Sequence, residues 1–207
     1  MTTLITDRHL ERSLIRRRRM RGADRYDEVW NGVYIMNAYP NIEHQGLVGR
    51  LTSILLFLID DQKLGMVLPG CNISDRPQKW KENYRCPDVV VFLKGTMAVN
   101  KKTHFFGGPD LAIEIISPND RSREKLDFYA QAGTRELLLL DRDPWSLELY
   151  RFENGPPELI QRADVVNGGV IETNAVPLLW RFVAGTERPL LEVSMRDGSI
   201  RPRSDRL

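Results

Sequence analysis

Residues 110–141 read DLAIEIISPNDRSREKLDFYAQAGTRELLLLD. The run 111–116 is apolar without alternation, which predicts a strand covered on both faces. The tetrad SPND at 117–120 stops it. A helix is expected over 122–131, with Gly133 placed to end it. Residues 136–141, with four leucines at their centre, form the next buried strand. Strand, helix and strand in that order imply a parallel pair joined by a right-handed crossover. This stretch sets the fold class as α/β, with a mixed central sheet flanked by helices.

Working outward, residues 89–93 (VVVFL) are a short apolar strand preceded by Pro87-Asp88. The segment 94–109, ending in Gly107-Gly108-Pro109, reads as a loop, and so does the polar stretch 70–87, with at most short structured pieces. Residues 65–68 suit a strand. Leu47, Leu51, Ile54, Leu55 and Leu58 recur at helical spacing and predict an amphipathic helix over 43–60. Asn31-Gly32 between two apolar runs marks a hairpin turn. Downstream, Asp143-Pro144 turns the chain into 147–152, which alternates as a strand exposed on one side. Only short strand-like pieces around Ile171 and Leu191 stand out in the tail.

The 207 residues are expected to form one domain, 26–207, preceded by a basic arm at 1–25. The arm holds eight Arg against three acids. Of the chain's totals of 30 basic and 28 acidic residues, that leaves 22 and 25 for the body. A positive arm on a near-neutral body suits contact with phosphates, and equally a solvated helix face. Cys71 and Cys86 are too few for a disulfide scaffold or a zinc site and read as free thiols of a reducing compartment. The Arg-rich start lacks the apolar segment of a signal peptide, and LLFLI at 55–59 is far shorter than a membrane span. A cytoplasmic protein without membrane contact is the expectation.

Three residues carry the chemistry. Asp88 stands at the mouth of one buried strand, Glu114 in the middle of the next, and Lys125 at the margin of the helix that follows. Asp88 and Asp110 each follow a proline and read equally as turn residues where a strand begins. Glu114, among Ala112, Ile113, Ile115 and Ile116, must have a cation, a basic partner or water, because an unpaired buried carboxylate is costly. A structural salt bridge would satisfy it as well. Two acids on neighbouring strands suit Mg²⁺, which is held by one or two carboxylates together with water and substrate phosphate. A lysine stem can run along apolar surface and bring positive charge to such a site.

Three segments, YRCPDVVVFL (84–93), PDLAIEIISPNDRSREKLDFYAQAG (109–133) and ELLLLDRDPWSLELYR (136–151), resemble the Uma2-type proteins of the PD-(D/E)XK restriction-endonuclease-like superfamily. DEVWNGVYIM (27–36), EHQGLVGRL (43–51) and VPLLW (176–180) extend the resemblance over about 25–180. It implies a restriction-endonuclease-like core and a Mg²⁺- or Mn²⁺-dependent endonuclease acting on DNA. On that resemblance Asp88 matches the metal-binding aspartate and Glu114 the second carboxylate. The superfamily's lysine two residues beyond the acid is replaced here by Ile116, and Lys125 matches the lysine that takes over from the following helix. His44 matches a histidine that opens the long helix, Glu43 beside it is a possible additional acid near the metal, and Asp110 matches a second Pro-Asp pair. Arg121 and Arg123 near the helix start are candidates for backbone contact, and superfamily habit suggests a homodimer. Two alternatives stand beside this expectation. One is a non-catalytic nucleic-acid-binding protein on the same fold, the other a phosphoesterase of small nucleotides.

Overall fold

The computed structural model describes residues 7–117, 121–152 and 155–205. Helix α1 (Arg8–Met20) leads into a hairpin, β1 (Glu28–Trp30) and β2 (Val33–Ile35). Helix α2 (Ile42–Leu55) continues through a π-helical turn, Leu56–Asp60, and is followed by β3 (Gly65–Pro69) and β4 (Ile73–Ser74). A 3₁₀ turn, Trp80–Glu82, precedes β5 (Val89–Leu93), β6 (Val99–Asn100), β7 (Phe105–Phe106) and β8 (Leu111–Ile115). A second 3₁₀ turn, Ser122–Lys125, opens α3 (Leu126–Ala132), then β9 (Glu136–Arg142) and β10 (Trp145–Arg151). The chain closes with β11 (Glu158–Asp164), β12 (Ile171–Thr173), β13 (Leu178–Val183), β14 (Leu190–Met195) and β15 (Arg203–Ser204).

Six strands form the central sheet in the order β11-β10-β9-β8-β5-β3. β8 and β9 pair in parallel through the α3 crossover, and the other neighbours are antiparallel, so the sheet is mixed. The period-two rule divides it into two faces. Val89, Val91, Leu111, Ile113 and Ile115 pack with Leu47, Leu51, Leu55 and Leu58 of the α2 segment. Val90, Phe92, Ala112, Leu137 and Leu139 pack with Phe128 and Tyr129 of α3. Glu114 shares parity with Ala112 and so belongs to the α3 face. Among the described residues, Ile42–Asp60 is the one helix long and apolar enough to cross a bilayer. Here it lies on the sheet, with its leucine stripe fully buried.

The 27–36 hairpin turns through Asn31 at φ 48° and Gly32 at φ 86°, the two positive values of a type I′ turn. Gly133 ends α3 in the left-handed region, as expected. The stop at 117–120 lies largely outside the described residues.

Three parts of the sequence reading change. Segment 70–87 holds only short pieces as expected, β4 among them, whereas 94–109 contributes β6 and β7 to the same three-stranded sheet, whose two-residue strands are too short to leave a periodic signal. The strand after Asp143-Pro144 alternates as expected, yet its polar members Ser146 and Glu148 are buried as well. β11 covers its outer edge, and Arg123 lies against Glu148. The tail forms a complete antiparallel sheet, β12-β13-β14-β15. Its Leu178, Trp180, Leu191 and Val193 join the same core as α2.

Candidate active site

The β5–β8 register places Val89 opposite Ile113. Continued by one residue, it brings Asp88 level with Glu114. Asp88 lies just before the first residue of β5, where its backbone is free to turn and its carboxylate reaches across two elements. Oδ2 accepts a hydrogen bond from Ile115 N at 2.8 Å, and Oδ1 lies 2.9 Å from His44 Nε2. His44 sits in the first turn of α2, where the Asn41 side chain caps the helix by accepting from His44 N at 2.8 Å. Its other ring nitrogen lies 3.4 Å from Ser117 Oγ. A helix start and a neighbouring strand thus fix the orientation of one carboxylate.

Lys125 is buried, and its Nζ lies 2.9 Å from Glu114 Oε1 and 3.0 Å from Glu28 Oε1. The short 3₁₀ turn before α3 aims it back over the end of β8, so the lysine arrives from the helix side. Tyr129, one helical turn further on, donates its hydroxyl to the same Glu114 oxygen. Burial raises the Glu114 pKa to about 8, with Asp88 and Glu28 adding to the rise against the pull of Lys125 and the Tyr129 hydrogen bond. Burial alone would push the Lys125 pKa down, but Glu114 and Glu28 outweigh it and hold the ammonium charged. Burial, and then the Glu114 charge, raise the Tyr129 phenol well above its ordinary range.

Glu28 is the member that sequence reasoning missed. It is buried in β1, with Oε1 also accepting from Cys86 N at 2.9 Å and Oε2 from Trp30 Nε1 at 2.7 Å. The available signal was an acid opening a short apolar strand, the placement that singled out Asp88. Trp30 lies between two guanidinium groups, Arg85 at 4.6 Å and Arg121 at 4.4 Å from its ring centroid. Arg85 in turn stacks on Phe128 at 4.2 Å. Through the Trp30 hydrogen bond these rings and guanidinium groups brace the Glu28 carboxylate. Both cysteines are free thiols, and burial raises the Cys86 pKa far above its ordinary value.

Other residues singled out in the sequence bond elsewhere. Glu43 turns outward to Arg142 at 2.8 Å. Asp110 lies at the opposite end of β8 from Glu114, accepting from Leu93 N at 2.8 Å and facing Arg135 at 3.3 Å. Arg121 pairs with Glu124, and Arg123 with Glu148. Among the described residues no group of three or more His, Cys, Asp or Glu is arranged to hold a metal ion. The oxygen donors that the strand register brings level are Asp88 and Glu114, and the Asp88 charge acts on the Glu114 carboxyl. That set suits a hard cation which keeps most of its water, as Mg²⁺ does, better than a protein cage of the kind Zn²⁺ or Ca²⁺ takes.

A family model described as "Uma2: Putative restriction endonuclease" matches residues 15–184. A solved structure from Anabaena variabilis ATCC 29413, described as "a putative nuclease belonging to DUF820", has the same fold, with a TM-score of 0.58. The two chains are 18% identical, over 72% of this chain and 82% of that one. Comparison with curated proteins gives no match.

Proposed function

Because this chain belongs to the Uma2 family of the PD-(D/E)XK nuclease superfamily, we propose that it hydrolyses phosphodiester bonds in DNA, with Asp88, Glu114 and Lys125 at the reacting phosphate. The observation that carries this reading is the buried Lys125 ammonium held against Glu114 on the strand next to Asp88. Structural ion pairs are seldom built this far from water, because desolvation of both charges offsets most of their attraction.

Asp88 and Glu114 would hold Mg²⁺ or Mn²⁺. When bound, such a cation neutralises phosphoryl charge and acidifies water. Asp88 is kept in place by His44 and Ile115 N. Lys125 places positive charge where the phosphoryl group gains negative charge, and Glu28 keeps that ammonium from swinging out to solvent. Tyr129 holds one Glu114 oxygen, which fixes the direction of the other.

The test is incubation of supercoiled plasmid with purified protein in Mg²⁺, in Mn²⁺ and in EDTA. Nicking or linearisation that needs the cation is the expected result. DNA retention in EDTA with no cutting under any condition would replace this reading with the binding-only one. Turnover of a model diester without affinity for long DNA would replace it with a small-nucleotide phosphoesterase.

A further inference from the structure

Helix α1 is not a loose arm. Arg18 ties it down with hydrogen bonds to both Asp27 carboxylate oxygens at 2.6 Å, to Ala23 O at 2.6 Å and to Asn37 O at 2.8 Å. Asp27 is itself buried and also accepts from Tyr34 OH and Asn37 N. It directly precedes Glu28, the partner of Lys125. The helix is therefore anchored one residue from the candidate active site.

The remaining arginines are arranged differently. Arg8, Arg12 and Arg16 recur every four residues, with Arg19 three further on, so they form one stripe along the helix. All four are exposed. Among the described residues Arg8, Arg12 and Arg16 make no ion pair, while Arg19 reaches Asp24 at 3.8 Å. The stripe ends at Arg19 on an open groove of about 710 Å³ whose lining also includes Arg25, Trp80, Lys81 and Tyr84. Its floor includes Asp27 and Val29, the residues on either side of Glu28. Of its acids, Asp27 is answered by Arg18, Glu82 by Arg76 and Asp24 by Arg19. Glu11 is the one without an ion pair among the described residues.

We propose that α1 is a DNA-backbone clamp: the Arg8, Arg12 and Arg16 stripe contacts consecutive phosphates and guides the strand along the groove toward β1. The identity of the ligand rests on the phosphodiester-cleaving reading. An anion of some kind is called for by Arg8, Arg12 and Arg16 themselves, three exposed guanidinium groups with no ion pair among the described residues. Guanidinium groups bind phosphate oxygens without regard to base sequence. Trp80 is stacked on His104 and packed edge to face with Tyr84, which holds that side of the groove rigid.

The test is fluorescence anisotropy of a labelled DNA oligonucleotide in EDTA, over a range of salt, so that cutting plays no part. Wild type is compared with Arg12→Ala/Arg16→Ala and with Lys94→Ala/Lys101→Ala. The second pair removes two exposed charges outside α1. Each lost phosphate contact should lower the log–log salt slope by about 0.7 to 0.9. The α1 variant should bind roughly tenfold or more weakly at ~0.1 M salt, with unchanged circular dichroism, and the lysine variant should match wild type. Equal weakening in both variants would reduce the effect to net charge and overturn the clamp. So would an unchanged slope in the α1 variant. Loss of binding to phosphatidylserine vesicles but not to DNA in the α1 variant would reassign the helix to membrane surfaces. A protein that binds in this way yet never cuts would retain the clamp and lose the nuclease reading, so the two claims fail separately.

Discussion

At Glu114, burial and the charges of Asp88 and Glu28 lift the carboxyl pKa from 4.5 to about 8, against Lys125 and Tyr129. Between those values the folded protein holds a proton that the unfolded chain has released. The stabilising contribution is therefore complete below pH 4.5 and is lost as pH rises through about 8. Thermal unfolding of the cation-free protein should show a melting temperature that falls across this window. Glu114→Gln should flatten that fall, and an identical slope in the variant would show that another group titrates. Lys125 behaves differently, because its removal takes the shared donor from the buried Glu28 and Glu114 side chains. Lys125→Ala should cost roughly 3–5 kcal/mol in urea unfolding, and a loss under about 1 kcal/mol would mean that the pair is solvated. The sequence exposed Glu114 because a charge among isoleucines stands out. Glu28 stayed hidden because Asp27 and Glu28 together look like a polar turn, and their division of labour, Asp27 to Arg18 and Glu28 to Lys125, exists only in three dimensions.

Elements set the distances between these residues. β5 and β8 were legible as uninterrupted apolar runs, and their adjacency brings Asp88 level with Glu114. The α3 crossover was legible from its helical spacing and terminal Gly133, and it delivers Lys125 and Tyr129 from one face. α2 delivers His44 from the other. The short strands β4, β6 and β7 were not legible, since two residues cannot display a period. Gly108, read as part of a loop end, meets the connection between α3 and β9. A Cβ there would lie 2.3 Å from Thr134 N. Backbone on both sides leaves little room for relief, so Gly108→Ala should destabilise by about 1–3 kcal/mol. Chemical denaturation measures this directly, and a neutral result would mean that the connection shifts freely.

At the scale of the whole molecule, the C-terminal sheet is the largest feature absent from the sequence reading. Leu178, Trp180, Leu191 and Val193 each fit an ordinary alternating strand, but what they cover is decided by a core shared with Leu47, Leu51, Leu147 and Leu149, far away in sequence. That sheet closes the α2 side of the core. The α3 side carries the buried Glu28–Lys125–Glu114 network, with Asp88 and His44 where the two sides meet. α1 is pinned through Arg18 to Asp27, the residue next to Glu28. In the proposed reaction Asp88, Glu114 and Lys125 act together in cleaving DNA. Because loss of the lysine endangers folding, the most direct measurement uses isosteric changes of the acids. Cleavage rates of supercoiled and single-stranded DNA in Mg²⁺ and Mn²⁺ would be compared for wild type, Asp88→Asn and Glu114→Gln, each confirmed folded by circular dichroism. The expected result is a loss of at least a hundredfold in both variants, with DNA binding in EDTA retained. Cutting at the wild-type rate by either folded variant would contradict it.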